Sequence, residues 1–110
     1  MPVRARRYEI HLPVEYNDGT PIEDAAYDKI EQDFLHRFGG VTQIRRSNPL
    51  RGLWREGEMV YQDNIVLFTM IDFSNQIEEN QNFMEEYKEF LKERLQQREI
   101  LITFHDLYVL

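Results

Sequence analysis

The segment at residues 65–71, IVLFTMI, constrains the fold more than any other part of the sequence. It is too short to cross a bilayer as a helix, which takes about 20 apolar residues. The side chains of a strand alternate between two faces, and here both alternating sets are apolar except for Thr69. Such a strand is typical of a sheet that is covered on both sides. We therefore expect one sheet face to carry helices and the other to meet a further surface.

Hydrophobic periodicity predicts six elements along the chain. The predicted strands are residues 8–14, 41–54 with an interruption at 47–49, 59–73 and 99–110. The predicted helices begin at residues 20 and 83 and end at residues 38 and 95, and residues 74–81 are predicted as a polar connection.

Start and stop signals frame the first predicted helix. Thr20 is predicted to cap it, with Pro21 in the first turn and Glu23 completing a capping box. An apolar stripe follows at steps of four residues, and it consists of Ile22, Ala26, Ile30, Phe34 and Phe38. Gly39 then stands where a left-handed residue is expected to end the helix.

The order β-α-β-β-α-β predicts an α+β fold, a ferredoxin-like sandwich. In it, both helices cover one face of a four-stranded antiparallel sheet with strand order 4-1-3-2. The 110 residues form a single domain, residues 1–110, because domains typically contain about 100–150 residues.

Composition excludes several classes of function. The chain has no cysteine, which excludes disulfides, thiolate metal sites and cysteine nucleophiles. Residues 1–56 carry nine basic and nine acidic residues, and residues 57–110 carry four and eleven, so the whole net charge of −7 falls in the second half. That balance disfavours general binding of nucleic acid. With no signal peptide and no membrane span in the sequence, we expect a cytoplasmic protein that does not bind membranes.

The hairpin expected at residues 51–64, RGLWREGEMVYQDN, contains the single tryptophan of the chain. The turn at Glu56 and Gly57 is expected to place Trp54 nearly opposite Tyr61, as a stabilising aromatic pair across the two strands. Arg51, Arg55 and Asp63 have no such structural role in this interpretation. The sequence therefore leaves open whether the hairpin binds a ligand or is only a turn between strands.

Two histidines are candidates for chemistry on the sheet face away from the helices. His11 alternates with the apolar residues of the first strand, and His105 does the same in the last strand. Because these strands are neighbours in the expected order, the two imidazoles could share that face, with Glu9 as a third metal-ligating or acid–base group. Ordinary surface or interface histidines are the favoured interpretation, so no metal and no cofactor is predicted. No nucleotide-binding, hydrolase or zinc-protease motif occurs in the sequence.

Residues 38–64 resemble a pattern found in small bacterial families of unknown function. The shared features are FGGVT at the end of a helix, GLW, a glycine turn, and a valine followed by an acidic residue. The resemblance implies a ferredoxin-like α+β domain, and it implies no catalytic residue.

Two functions follow from the sequence. The favoured one is a non-enzymatic interaction module that forms a homodimer through Ile65, Leu67 and Ile71 and has room for a further protein partner. The alternative is a small-molecule enzyme or sensor of the dimeric α+β barrel type, with a cavity between paired sheets. Candidate lining residues for that cavity are His11, His105, Trp54 and Tyr61, and Arg51 is a further ligand-binding prediction.

Overall fold

The computed structural model describes residues 2–44 and 50–110. Its elements are β1 (Val3–Pro13), α1 (Asp24–Phe38), β2 (Thr42–Ile44), β3 (Leu50–Glu56), β4 (Met59–Asp72), α2 (Ile77–Arg94) and β5 (Leu101–Val109). The predicted α+β class, with an antiparallel sheet and two helices, is confirmed.

Every strand pair in the sheet is antiparallel. The order is β2-β4-β1-β5, and β3 pairs with β4 as well. The predicted second strand is therefore two segments, β2 and β3. Both pair with β4, which is long enough, at 14 residues, to accept β3 along its first half and β2 along its second.

Both helices pack on the same face of the sheet. Phe34 of α1 lies at the centre, with its ring 6.0 Å from that of Phe68 on β4 and 4.9 Å from that of Tyr87 on α2. The alternate residues of β1 and β4 complete this core, and they are Tyr8, Ile10, Leu12, Val66, Phe68 and Met70. Ala26, Ile30 and Phe34 of the predicted stripe are buried in this core, which explains why a helix forms at this position. Phe38 is partly buried, and Ile22 is buried just before the helix begins.

The predicted capping box at Thr20 is wrong. The Thr20 hydroxyl donates a hydrogen bond to Asp18 at 2.6 Å, and the Thr20 amide donates to the same carboxylate oxygen at 3.0 Å. Asp18 therefore closes a local turn, and the Thr20 hydroxyl is occupied there instead of capping the helix. The helix begins at Asp24, with Glu23 at the N-cap and no side-chain capping bond. Its other end is as predicted, since Gly39 has a φ of 80°.

The second helix begins earlier than predicted, at Ile77. The sequence predicts a polar connection over this first turn because the inward-facing residue is Asn80, which interrupts the apolar periodicity. Asn80 is nevertheless buried, with 4% of its surface exposed. The sequence predicts that the apolar stripe of this helix consists of Phe83, Met84, Tyr87, Phe90, Leu91 and Leu95. Met84, Tyr87, Leu91 and Leu95 are buried and Phe83 is partly buried, whereas Phe90 is 45% exposed.

The hairpin of β3 and β4 extends beyond the rest of the sheet. The ladder between β1 and β4 ends at the pair Pro13–Ile65, whereas β3 continues to pair with β4 as far as Glu56–Met59. We call this two-stranded extension, residues 50–56 and 59–64, the arm. It contributes to an elongated molecule with dimensions of 46 × 32 × 26 Å.

Candidate functional site

The sheet face opposite the helices is the surface on which most of the predicted site residues lie. We call it the open face. Strand alternation and the observed register assign to it Arg7, Glu9 and His11 of β1, Ile65, Leu67, Thr69 and Ile71 of β4, and Leu101, Thr103, His105 and Leu107 of β5. Their neighbours in sequence on β1 and β4 are the buried core residues, because the helices cover the other face.

The apolar residues of β4 occupy the centre of this face. Ile65, Leu67 and Ile71 are each partly exposed, while Val66, Phe68 and Met70 are buried under the helices. The prediction that β4 is apolar on both faces is therefore confirmed for its second half. None of the elements that the structure describes packs over Ile65, Leu67 and Ile71 as the helices pack over the opposite face.

A row of charged and polar groups crosses the open face along β1. Arg7 Nε lies 3.3 Å from Glu9 Oε1, close enough for an ion pair but without hydrogen-bond geometry. Both side chains are about one third exposed, so water screens this pair and it adds little to stability. His11 Nδ1 is buried without a hydrogen-bond partner among the described residues. An unpaired buried nitrogen of this kind is unfavourable unless a hydrogen-bond partner reaches it.

The two histidines share the open face, but the register separates them. His11 pairs with Leu101, whereas His105 pairs with Arg7, four residues further along β1. Four residues of strand span about 13 Å, which is too far for one metal ion or one proton transfer. The described residues include no group of three potential metal ligands. The idea of a joint site formed by His11, His105 and Glu9 is wrong for this reason.

The other three candidates lie on the arm, away from the histidines. Trp54 pairs with Tyr61 across the hairpin, as predicted, and Arg51 pairs with Asn64. The structure describes these positions by their backbone, and the predicted ring contact lies outside the described part. Tyr61 is six residues along β4 from Leu67, the partner of His11, which corresponds to about 20 Å. The five predicted residues therefore fall in three separate places, and ligand binding by each stays a prediction.

Sequence reasoning missed a buried polar cluster where β4 meets α2. Asp72 is 2% exposed, and its carboxylate accepts hydrogen bonds from Asn80 Nδ2 at 2.9 Å and from the Ser74 hydroxyl at 2.7 Å. Arg37 of α1 donates in turn to Asn80 Oδ1 at 2.7 Å. The cluster joins a strand and both helices, so its role is architectural. The sequence signal that could have revealed this cluster is Asn80, an amide at a core position.

Arg6 organises a second polar group beside this cluster, on the helix side of β1. Its guanidinium donates to Asp106 at 2.8 Å and to Gln81 at 3.0 Å, and it lies 4.2 Å above the ring of Phe104. The hydrogen bond from Arg6 lowers the pKa of Asp106 and raises that of Arg6. Burial raises the pKa of the neighbouring Tyr8, whose hydroxyl has no hydrogen-bond partner by geometry among the described residues.

Two further contacts fix the helices in place. Tyr87 donates a hydrogen bond to Asp33 at 2.7 Å, and burial together with that carboxylate raises the pKa of the Tyr87 hydroxyl. At the other end of the helix layer, Arg94 and Tyr16 both donate to Glu23, and these bonds lower the pKa of Glu23 to about 2. Neither Tyr87 nor Glu23 lines either of the two depressions described next, so neither is a candidate acid or base.

The described residues also form two depressions that open to solvent. One, of about 450 Å³, lies at the N-terminus of α2 beside Arg4 and Glu78. The other, of about 240 Å³, lies beside Tyr16 and Asn64. Neither lies at the centre of the open face, and neither contains a predicted site residue.

Comparison with known proteins provides no family for this chain. No protein-family model, no curated protein and no solved structure matches it. Among the described residues, no helix is long and apolar enough to cross a membrane. The inference of function therefore depends on the geometry of the open face.

Proposed function

We propose that this protein is a non-enzymatic interaction module that forms a homodimer through its open face. One observation carries the proposal: β4 is apolar on both faces, and only the face formed by Val66, Phe68 and Met70 is covered by helices. A partly exposed apolar strand centre is typical of a protein–protein interface.

The charges of the open face support a second copy as the partner. A homodimer with a twofold axis brings the same patch of each copy together, so residue i meets residue j and j meets i. Arg7 and Glu9 lie on one strand with opposite charges and are only loosely paired with each other. In an antiparallel approach of two such faces, Arg7 of each copy can pair with Glu9 of the other.

We also infer that the domain is a ferredoxin-like sandwich, as the sequence predicted. The inference counts β2 and β3 as two segments of one strand. The sheet order from the β5 edge is then 4-1-3-2 in predicted strand numbers. In folds of this kind the face away from the helices is free for association, which agrees with the proposed interface.

Sedimentation equilibrium at micromolar concentration tests the interface. The substitution Leu67→Lys places a charge at the centre of the open face, and we expect it to halve the mass measured for the wild type. Leu35→Lys, at an exposed leucine on α1, is the matched control and should leave the mass unchanged. A wild-type mass of 13.4 kDa, that of one chain, contradicts the proposal, as does an equal mass for wild type and Leu67→Lys.

A further inference from the structure

β5 is an edge strand of nine residues. It pairs with β1 along one side, from Leu101 to Val109, and it is the last strand in the sheet order. No other strand of the described residues pairs with its outer side. Backbone N–H and C=O groups along such an edge are a template for a further strand.

The opposite side of the sheet is protected, and β5 is not. β2 has only three residues, and β3, LRGLWRE, contains two arginines, a glutamate and a glycine. Short length and charge are the usual means by which proteins prevent edges from pairing. β5 has the sequence LITFHDLYV, without lysine, arginine, proline or glycine. The contrast indicates that the β5 edge, unlike β2 and β3, is free to pair with a further strand.

Three large apolar side chains of β5 are exposed. Leu101 is 57% exposed, Phe104 47% and Tyr108 72%. The acidic residue of the strand, Asp106, already accepts a hydrogen bond from Arg6 on β1 at 2.8 Å. The edge therefore presents apolar surface with little unpaired charge.

We propose that β5 pairs with β5 of a second copy of this chain, antiparallel and about a twofold axis at His105. His105 is the middle residue of the strand, so this register, in which residues i and j satisfy i + j = 210, overlaps all nine residues. It places Leu101 opposite Val109 of the other copy and Thr103 opposite Leu107. All of these residues lie on the open face, so both sheets join with their open faces on the same side.

Charge and side-chain pairing both favour a second copy as the occupant. In this register Asp106 lies opposite Phe104 of the other copy, so the two carboxylates do not meet. Like charges directly opposite each other are what destabilises a strand pair. On the helix side, Ile102 lies opposite Tyr108, an aliphatic–aromatic pair that stabilises antiparallel strands. The strand is thus complementary to itself.

Engineered cysteines test the pairing without interference, because the chain has none of its own. The background is Leu67→Lys, which removes association through the open face. In that background His105→Cys places two thiols opposite each other, with Cα atoms about 5 Å apart, which is within disulfide range. Tyr108→Cys is the control, because its thiols would lie about 20 Å apart although Tyr108 is more exposed.

Intact mass is measured after mild oxidation of both proteins at the same concentration. We expect His105→Cys to double its mass from that of one 13.4 kDa chain and Tyr108→Cys to stay monomeric. A monomeric His105→Cys protein, the result expected if β5 instead receives a strand of another protein, overturns the proposal. Equal cross-linking of both variants overturns it too.

A second pair of variants covers the case in which His105→Cys fails to fold. Thr103→Cys and Leu107→Cys, again in the Leu67→Lys background, should form a mixed disulfide when combined, and neither should cross-link alone. The proposal is wrong if the mixture remains monomeric. These results are independent of the open-face dimer, which is tested separately by whether Leu67→Lys lowers the mass measured for the wild type.

Discussion

Asp72 and Asn80 show how single polar residues hold this fold together. A carboxylate that is 2% exposed is tolerated only when its oxygens are hydrogen-bonded, and here Asn80 and Ser74 supply the donors. Asn80 also accepts from Arg37, so one amide connects β4 to both helices. The sequence marks Asn80 only as a polar residue, because nothing local reveals which side chain it meets.

Replacing Asn80 with alanine should destabilise the protein strongly. The change leaves a buried carboxylate with one donor fewer and Arg37 Nε without its acceptor, and we expect it to cost about 2–4 kcal/mol of unfolding free energy. Asn82→Ala, at an exposed site on the same helix, is the control and should change stability by less than about 0.5 kcal/mol. Urea denaturation followed by far-UV circular dichroism measures both. Equal midpoints for the two variants would mean that the amide has no structural role.

The low pKa of Glu23 predicts a loss of stability in acid. Bonds from Arg94 and Tyr16 lower the pKa of Glu23 from 4.5 to about 2 in the folded protein. A carboxyl with a lowered folded pKa stabilises the fold above its unfolded pKa, and this stabilisation is lost as the pH falls from about 4.5 to about 2.

Glu23→Gln should therefore weaken the acid dependence of the urea midpoint. Between pH 5 and pH 2.5 we expect a smaller fall for this variant than for the wild type, because its side chain does not titrate. Glu93→Gln, at an exposed position on α2, should leave the wild-type fall intact. Identical pH profiles for all three proteins would show that Glu23 does not contribute.

At the scale of elements, the arm is a hairpin of two strands that extends beyond the rest of the sheet. A hairpin of two strands is only marginally stable in water unless a third strand or a helix packs against it. The described ladder of β1 stops at Ile65, so the arm beyond it has two strands. Regions with few such contacts open at lower free energy than the core.

Trp54, the single tryptophan, makes the opening of the arm measurable. The sequence predicts that Trp54 packs against Tyr61, so its emission should be blue-shifted in the folded protein. On addition of urea, we expect the fluorescence midpoint to precede the midpoint of far-UV circular dichroism, which reports mainly on the helices. Shortening the hairpin between Arg51 and Asn64 to an Asn-Gly turn should leave the second midpoint nearly unchanged. If the two transitions coincide, the arm unfolds with the core.

Sequence reasoning identified those elements whose signals are local. The stripe through Phe34, the glycine at the end of α1 and the two apolar faces of β4 follow from spacing alone, and all three are confirmed. The predicted start of α1 is wrong because the Thr20 side chain bonds to Asp18 instead of capping the helix. A capping motif does not reveal that a turn residue competes for the same side chain. The predicted joint site of His11 and His105 is wrong because it depends on the register between β1 and β5. That register places His105 opposite Arg7, and it is set by pairing between residues distant in sequence.

At the scale of the whole molecule, two different surfaces point to association. The open face is broad and crossed by a charged row along β1, whereas the β5 edge is narrow and nearly uncharged. Both proposed contacts are twofold, and each of them taken alone closes a dimer instead of growing into a fibre. The proposed open-face contact is centred on β4 and the proposed edge contact on β5, so a substitution in one strand can test one contact without removing the other.

β4 also has a mechanical consequence. Its 14 residues run without interruption from the tip of the arm to the end of the sheet, where β1 flanks it. A load applied to the arm along this strand acts on the hydrogen bonds to β1 in shear, so many bonds resist together instead of opening one after another. Tension applied to the arm is therefore transmitted along β4 directly to the core.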